Sequence, residues 1–146
     1  MSLSFWNKKL LILQTLILIC CTCFANEPLF KKARTLQREG KHDEAIGAFK
    51  SYLAQPMDED EVTIQEVSMY TDALVQLMNT YQSKGEPEAC ISTLQEVYNT
   101  SSTLQGKCLR DYYSVMGYAL SRTEKMKEAE MTMMKALTLP LNHATP

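Results

Sequence analysis

The chain has 146 residues, with 17 acidic and 15 basic side chains and a net charge of −2, a length that suits one domain. Apolar residues make up 45% and charged residues 22%, close to ordinary globular averages, which excludes collagen-like, low-complexity and disordered classes. None of the five glycines, Gly40, Gly47, Gly85, Gly106 and Gly117, falls in a G-x-G or G-x-x-x-x-G-K pattern, so dinucleotide and P-loop phosphate sites are excluded too.

Residues 1–25 read as a signal peptide. Lys8 and Lys9 precede the apolar run Leu10 to Cys21, broken only by Gln14 and Thr15, and Cys23-Phe24-Ala25 places small residues at −3 and −1 of a cleavage site before Asn26. The run falls short of the roughly 20 residues that cross a bilayer. Cleavage after Ala25 is therefore expected, with an uncleaved anchor as the alternative. The leader carries two cations and no acid, which leaves 13 cations against 17 acids and a mature net charge of −4. That disfavours nucleic acid and anionic membrane as partners, and confines membrane contact to the leader or to a span downstream of this sequence. Cys90 and Cys108 remain after cleavage. A disulfide between them is chemically allowed in an oxidising compartment, but each falls on an apolar helical stripe and reads as a packed, reduced thiol.

From Asn26 onward apolar residues recur at spacings of three and four, and no alternating run is long enough to nominate a strand. The expected fold class is all-α. Breaks fall at Gly40-Lys41-His42, at Gln55-Pro56 with the acids Asp58 to Glu61, at Lys84-Gly85-Glu86-Pro87, at Asn99 to Gly106, at Ser121-Arg122-Thr123 and at Leu139-Pro140, leaving room for six helices. Pro28 and Pro87 sit at helix starts, where a missing N–H costs nothing, and Thr123 is placed to cap the helix after it. Asp43, Glu44, Glu86 and Glu88 put negative charge in first turns, in favour with the helix dipole.

A repeat runs through these helices. Leu29, Ala33, Leu36, Gly40, Ala45, Phe49 and Leu53 align with Leu74, Met78, Tyr81, Gly85, Cys90, Leu94 and Tyr98, and then with Tyr113, Gly117, Leu120, Glu124, Ala129, Met133 and Leu137. The small members let two helices approach and the large ones fill the gaps beside them. This pattern resembles the tetratricopeptide repeat. The resemblance implies an α-solenoid of three helix-turn-helix hairpins over residues 26–140, divided at about 26–58, 59–102 and 103–140, with 141–146 opening a linker or a truncated next repeat. Three departures stand out. Equivalent positions lie 45 and then 39 residues apart against the family's 34, so the first helix of the second copy, from about Asp60 to Lys84, is unusually long or follows an ordered acidic loop. Met78 occupies a small-residue place, and Glu124 replaces a turn glycine.

Catalytic chemistry finds little support. His42 and His143 lie far apart in sequence, and no nucleophile–base pair or metal-ligand cluster is spaced for chemistry; neither a catalytic nor a metal site is expected, and no cofactor. His42, followed by Asp43 and Glu44, reads as a solvated turn histidine. The run Asp58-Glu59-Asp60-Glu61 lacks the alternation, glycine and distant glutamate of a calcium loop and reads as a charged helix start. Met126, Met131, Met133 and Met134 read mostly as core. Asn99-Thr100-Ser101 matches a glycosylation sequon, of consequence only on a eukaryotic secretory route.

In a stack of such hairpins the first helices line a concave face. Projected on this chain, that face holds Phe30, Arg34, Gln37 and Arg38, then Asp72, Val75, Asn79 and Gln82, then Asp111, Ser114, Tyr118 and Arg122. It suits an extended peptide or a segment of a protein partner; the alternative is that it packs against further helices of the same polypeptide. The family's clamp for a terminal carboxylate is matched only by Asn79, with Phe30, Asp111 and Val115 where basic or amide groups are wanted. A leader followed by such hairpins resembles the N-terminal extracytoplasmic sensor region of Bacteroidetes-type membrane histidine kinases. That resemblance implies a periplasmic or membrane-facing sensing region of a longer protein; a free-standing exported adaptor is the alternative.

Overall fold

The structure, a computed structural model, describes residues 26–57 and 63–140; the leader, the acids 58–61 and the tail 141–146 lie outside the described residues. Seven helices and no strand occur among the described residues: α1 (Asn26–Arg38), α2 (His42–Leu53), α3 (Ile64–Lys84), α4 (Pro87–Thr100), α5 (Ser102–Gln105), α6 (Leu109–Ser121) and α7 (Met126–Thr138). This is an all-α, tetratricopeptide-like solenoid, in which α1–α2, α3–α4 and α6–α7 are the three hairpins. Residues expected to form a plain break between Asn99 and Gly106 instead hold α5. Ser101 Oγ accepts from the Leu104 amide, and Leu104 is fully buried between α4 and α6.

The first two hairpins turn by the same device. Gly40 and Gly85 take φ of 73° and 72°, the left-handed region that glycine enters without steric cost. At the first turn Gly40 N–H donates to Gln37 O at 3.1 Å and Lys41 N–H to Leu36 O at 3.0 Å; at the second, Gly85 N–H donates to Gln82 O and Glu86 N–H to Tyr81 O. Both pairs form a Schellman closure, which satisfies carbonyls a helix end leaves open. Pro87 then starts α4 as its first residue. With Glu124 in the glycine's place, the third turn avoids positive φ and is longer, running from Arg122 to Lys125. The expectation that Thr123 caps α7 is corrected by this longer turn. The N-cap is Lys125, while Thr123 Oγ1 donates to Leu120 O and accepts from the Lys125 amide within the turn.

The long first helix expected for the second copy is α3, 21 residues from Ile64. Its start is fixed by a reciprocal cap, in which Thr63 Oγ1 accepts from Glu66 N–H and the Glu66 carboxylate accepts from Thr63 N–H at 2.8 Å.

Packing inside the hairpins follows the size of the residue at the crossing. In the third hairpin a Cβ built on Gly117 meets Met133 Cγ at 2.6 Å and the Met133 backbone nitrogen at 3.3 Å, so α6 and α7 touch closely. Ala33 and Ala45 do the same work between α1 and α2, both with no exposure. Met78 holds that place in α3, and α3 and α4 stand further apart. Tyrosines bridge the wider gap. Tyr81 OH and Thr93 Oγ1 are 2.6 Å apart, and Tyr70 OH donates to Leu53 O while it lies 2.7 Å from Ser101 Oγ. Tyr70 thereby ties α2, α3 and the α4–α5 junction with its polar atom satisfied, as burial requires. Cys90 and Cys108 are buried free thiols, and burial pushes each up to about 12.

Candidate concave binding face

The first helices α1, α3 and α6 lie side by side, with α2 packed on α3 and α4 on α6. Side-chain bonds set the register of neighbouring first helices. Gln37 Nε2 donates to Gln76 O at 3.2 Å and to Thr80 Oγ1 at 3.0 Å, tying α1 to α3. Thr71 Oγ1 donates to Asp111 Oδ2 at 2.8 Å, tying α3 to α6. Arg34 Nη1 stands 4.0 Å from Asp72 Oδ2, too long for a hydrogen bond.

The residues projected onto this face divide into those the stack consumes and those it leaves open. Gln37 and Asp111 take part in the hydrogen bonds just described, Arg34 and Asp72 form only the long ion pair, with Arg34 Nη1 shielded and without a hydrogen-bond partner, and Asp72 also accepts from Gln76 Nε2. Phe30, expected as an exposed aromatic, is half-buried, its ring 6.2 Å from that of Phe49 and 5.5 Å from that of Tyr52. Val75 packs on the core as well. Asn79 and Gln82 are half-buried, and Arg38, Ser114, Tyr118 and Arg122 are exposed. Gln82 and Arg122 line one small apolar cleft with Met78, Pro87, Cys90 and Ala119. Its free volume of about 10 Å³ holds one water at most.

Two other expectations are corrected. His42 is the first residue of α2 rather than a solvated turn residue; it is half-buried, with Nδ1 shielded and without a hydrogen-bond partner. The methionines of α7 are surface rather than core: Met126, Met131, Met133 and Met134 are all exposed, together with Leu137. Among the described elements α7 packs chiefly on α6, and it buries only Ala129 and Ala136. The acidic run lies outside the described residues, where its expected helix start has no structural counterpart to compare. Among the described residues no group of three metal-binding side chains is placed to hold an ion, and no helix is long and apolar enough to cross a membrane.

Residues 111–143 match the family model of the tetratricopeptide repeat. The match covers the third hairpin from Asp111 onward. No curated protein and no solved structure matches the chain. The third copy keeps the small residue at its crossing, Gly117, whereas the second copy substitutes Met78 and carries the long α3 and the added α5. Tetratricopeptide repeats generally mediate contact between proteins, and the all-helical repeat fold is typically non-catalytic.

Proposed function

We propose that the chain is an exported protein-interaction region whose stacked first helices receive an extended segment of a partner protein. In this reading it forms the extracytoplasmic sensing part of a two-component histidine kinase. The observation that carries the binding role is the alignment of α1, α3 and α6, which leaves Arg38, Ser114, Tyr118 and Arg122 exposed along one face. The sensing role draws on the leader followed by repeats, and on the apolar flank of α7, which a further hairpin of a longer polypeptide would cover. A partner biases such a stack only by binding one curvature better than another.

Sequencing the gene past the codon for Pro146 tests the sensing role. An open frame with further hairpins, a span of about 20 apolar residues and a kinase core is the expected result. A stop codon there overturns it and leaves a free-standing exported adaptor. Export is tested separately, by fractionating cells that express the chain with and without residues 1–25.

A further inference from the structure

We propose that two copies of the chain pair through the outer face of α7, antiparallel about a twofold axis near Thr132. This goes beyond the sensing role and does not depend on it. α7 presents two apolar stripes. Met133 and Leu137 hold the repeat positions of Phe49 and Leu53, which are buried in the first hairpin where α3 packs on α2, so a further hairpin stacked in the same way would cover them. Met131 and Met134 differ. They are 65% and 57% exposed, and they correspond to Gly47 and Lys50 of α2 and to Ser92 and Gln95 of α4. Both of those helices have the next hairpin packed on them, yet Gly47, Ser92 and Gln95 stay exposed, and Lys50 pairs with Glu96 at 2.8 Å. Stacking therefore leaves this second stripe open, and only α7 makes it apolar.

The charges around the stripe select a second copy as the occupant. Lys127, Glu128, Glu130 and Lys135 are all exposed and cancel, so two α7 faces meet without net repulsion. Glu128 and Lys135 stand seven residues apart, about two helical turns, and so lie along the same edge of the stripe that holds Met131 and Met134. An antiparallel pair sets Glu128 of each copy against Lys135 of the other, twice over, as a self-complementary twofold interface requires. A parallel pair sets like charges together, which costs binding. Methionine's flexible thioether adapts to a surface that packs against its own copy. The other end of the stack offers no counterpart, since α1 exposes Lys31, Lys32 and Thr35, and a head-to-tail array that grows without closing has no apolar face to bind there. The open side of a helix about 20 Å long buries roughly 1,000 Å² over two copies, the lower end for a specific interface, so the dimer is reversible.

Sedimentation equilibrium on the full chain tests the pairing. A reversible equilibrium between monomer and dimer is expected. Met131→Lys with Met134→Lys should weaken it at least about tenfold, while circular dichroism holds because both side chains already face water. Glu128→Lys alone and Lys135→Glu alone should each weaken the dimer about fivefold, since each breaks two exposed pairs and opposes like charges. Together the two exchanges should restore it, because the antiparallel pairs re-form with their signs reversed. A chain that stays monomeric up to about 1 mM, a concentration that reveals even contacts of about −4 kcal/mol, overturns the inference and leaves the stripe to a different protein. A dimer indifferent to the two methionine exchanges is held by another surface and overturns it as well. Should those exchanges unfold α7, the charge exchange decides alone: single variants that weaken the dimer without rescue by the double variant overturn the antiparallel pairing.

Discussion

Phe49 and Leu53 of α2 hold the same repeat positions as Met133 and Leu137 of α7, yet the first pair has no exposure and the second is 37% and 70% exposed. The positions that face into each hairpin behave alike, Ala45 with no exposure and Ala129 with 2%. A repeat therefore fixes its own crossing, whereas the burial of its outer flank is set by what stacks on it. α2 has α1 on one side and α3 on the other; among the described elements α7 packs chiefly on α6.

The comparison breaks most visibly under truncation. Phe49→Ala should cost about 3–5 kcal/mol, while Met133→Ala should cost about 1 kcal/mol or less, its outer side already facing water. Equal losses in chemical denaturation would mean that α7 is covered in solution. Overpacking comes next. Ala45→Leu should cost about 1–3 kcal/mol, and an unchanged melting midpoint would undo the repeat register. Gly117→Leu is expected to behave alike, because its side chain meets the α7 backbone as well as Met133.

Tyr70→Phe leaves the Leu53 carbonyl and Ser101 without their shared partner, for a loss of about 1–3 kcal/mol. The same buried groups give a pH dependence with a definite sign. Burial raises Cys90, Cys108, Tyr52 and Tyr70 to about 12 from ordinary values of 9.0 and 10.0. The unfolded chain then releases protons that the folded chain keeps, so stability is full below about pH 9 and falls as pH rises toward 12. None of these groups lies on α7. Denaturation midpoints measured from pH 8 to 11 should show the decline, and replacing both cysteines with alanine should flatten its lower part. The smallest effect belongs to the concave face: Arg34→Ala with Arg38→Ala should move stability by about 0.5 kcal/mol or less, since the only ion pair involved is long and partly exposed. A collapse instead would show that the face is buried by neighbours.

Much of the fold was legible in the sequence because its signals are local. The spacing of apolar residues, Gly40 and Gly85 at left-handed turns, and Pro87 at a helix start each depend on backbone sterics within one turn of chain. Other features were not legible, for equally physical reasons. α5 is four residues long and mostly polar, and forms because Leu104 finds a gap between α4 and α6. Thr123 has the chemistry of a cap, but Glu124 forces a longer turn and moves the cap to Lys125. Of the residues projected onto the concave face, periodicity places all but Arg122, which follows α6, on first helices; it does not say that Gln37 is spent on Thr80, or that Phe30 leans on Tyr52.

By itself the sequence determined that this chain is helical, that its helices pair, and where the pairs turn, because those outcomes follow from propensity, period and the few residues that tolerate a turn. The tertiary structure alone decided how wide each hairpin stands, which donors remain at the groove, and which apolar flank stays open. Those outcomes depend on distances between residues about 40 positions apart, as Thr71 and Asp111 are, and no local pattern encodes which side chain will meet its partner first.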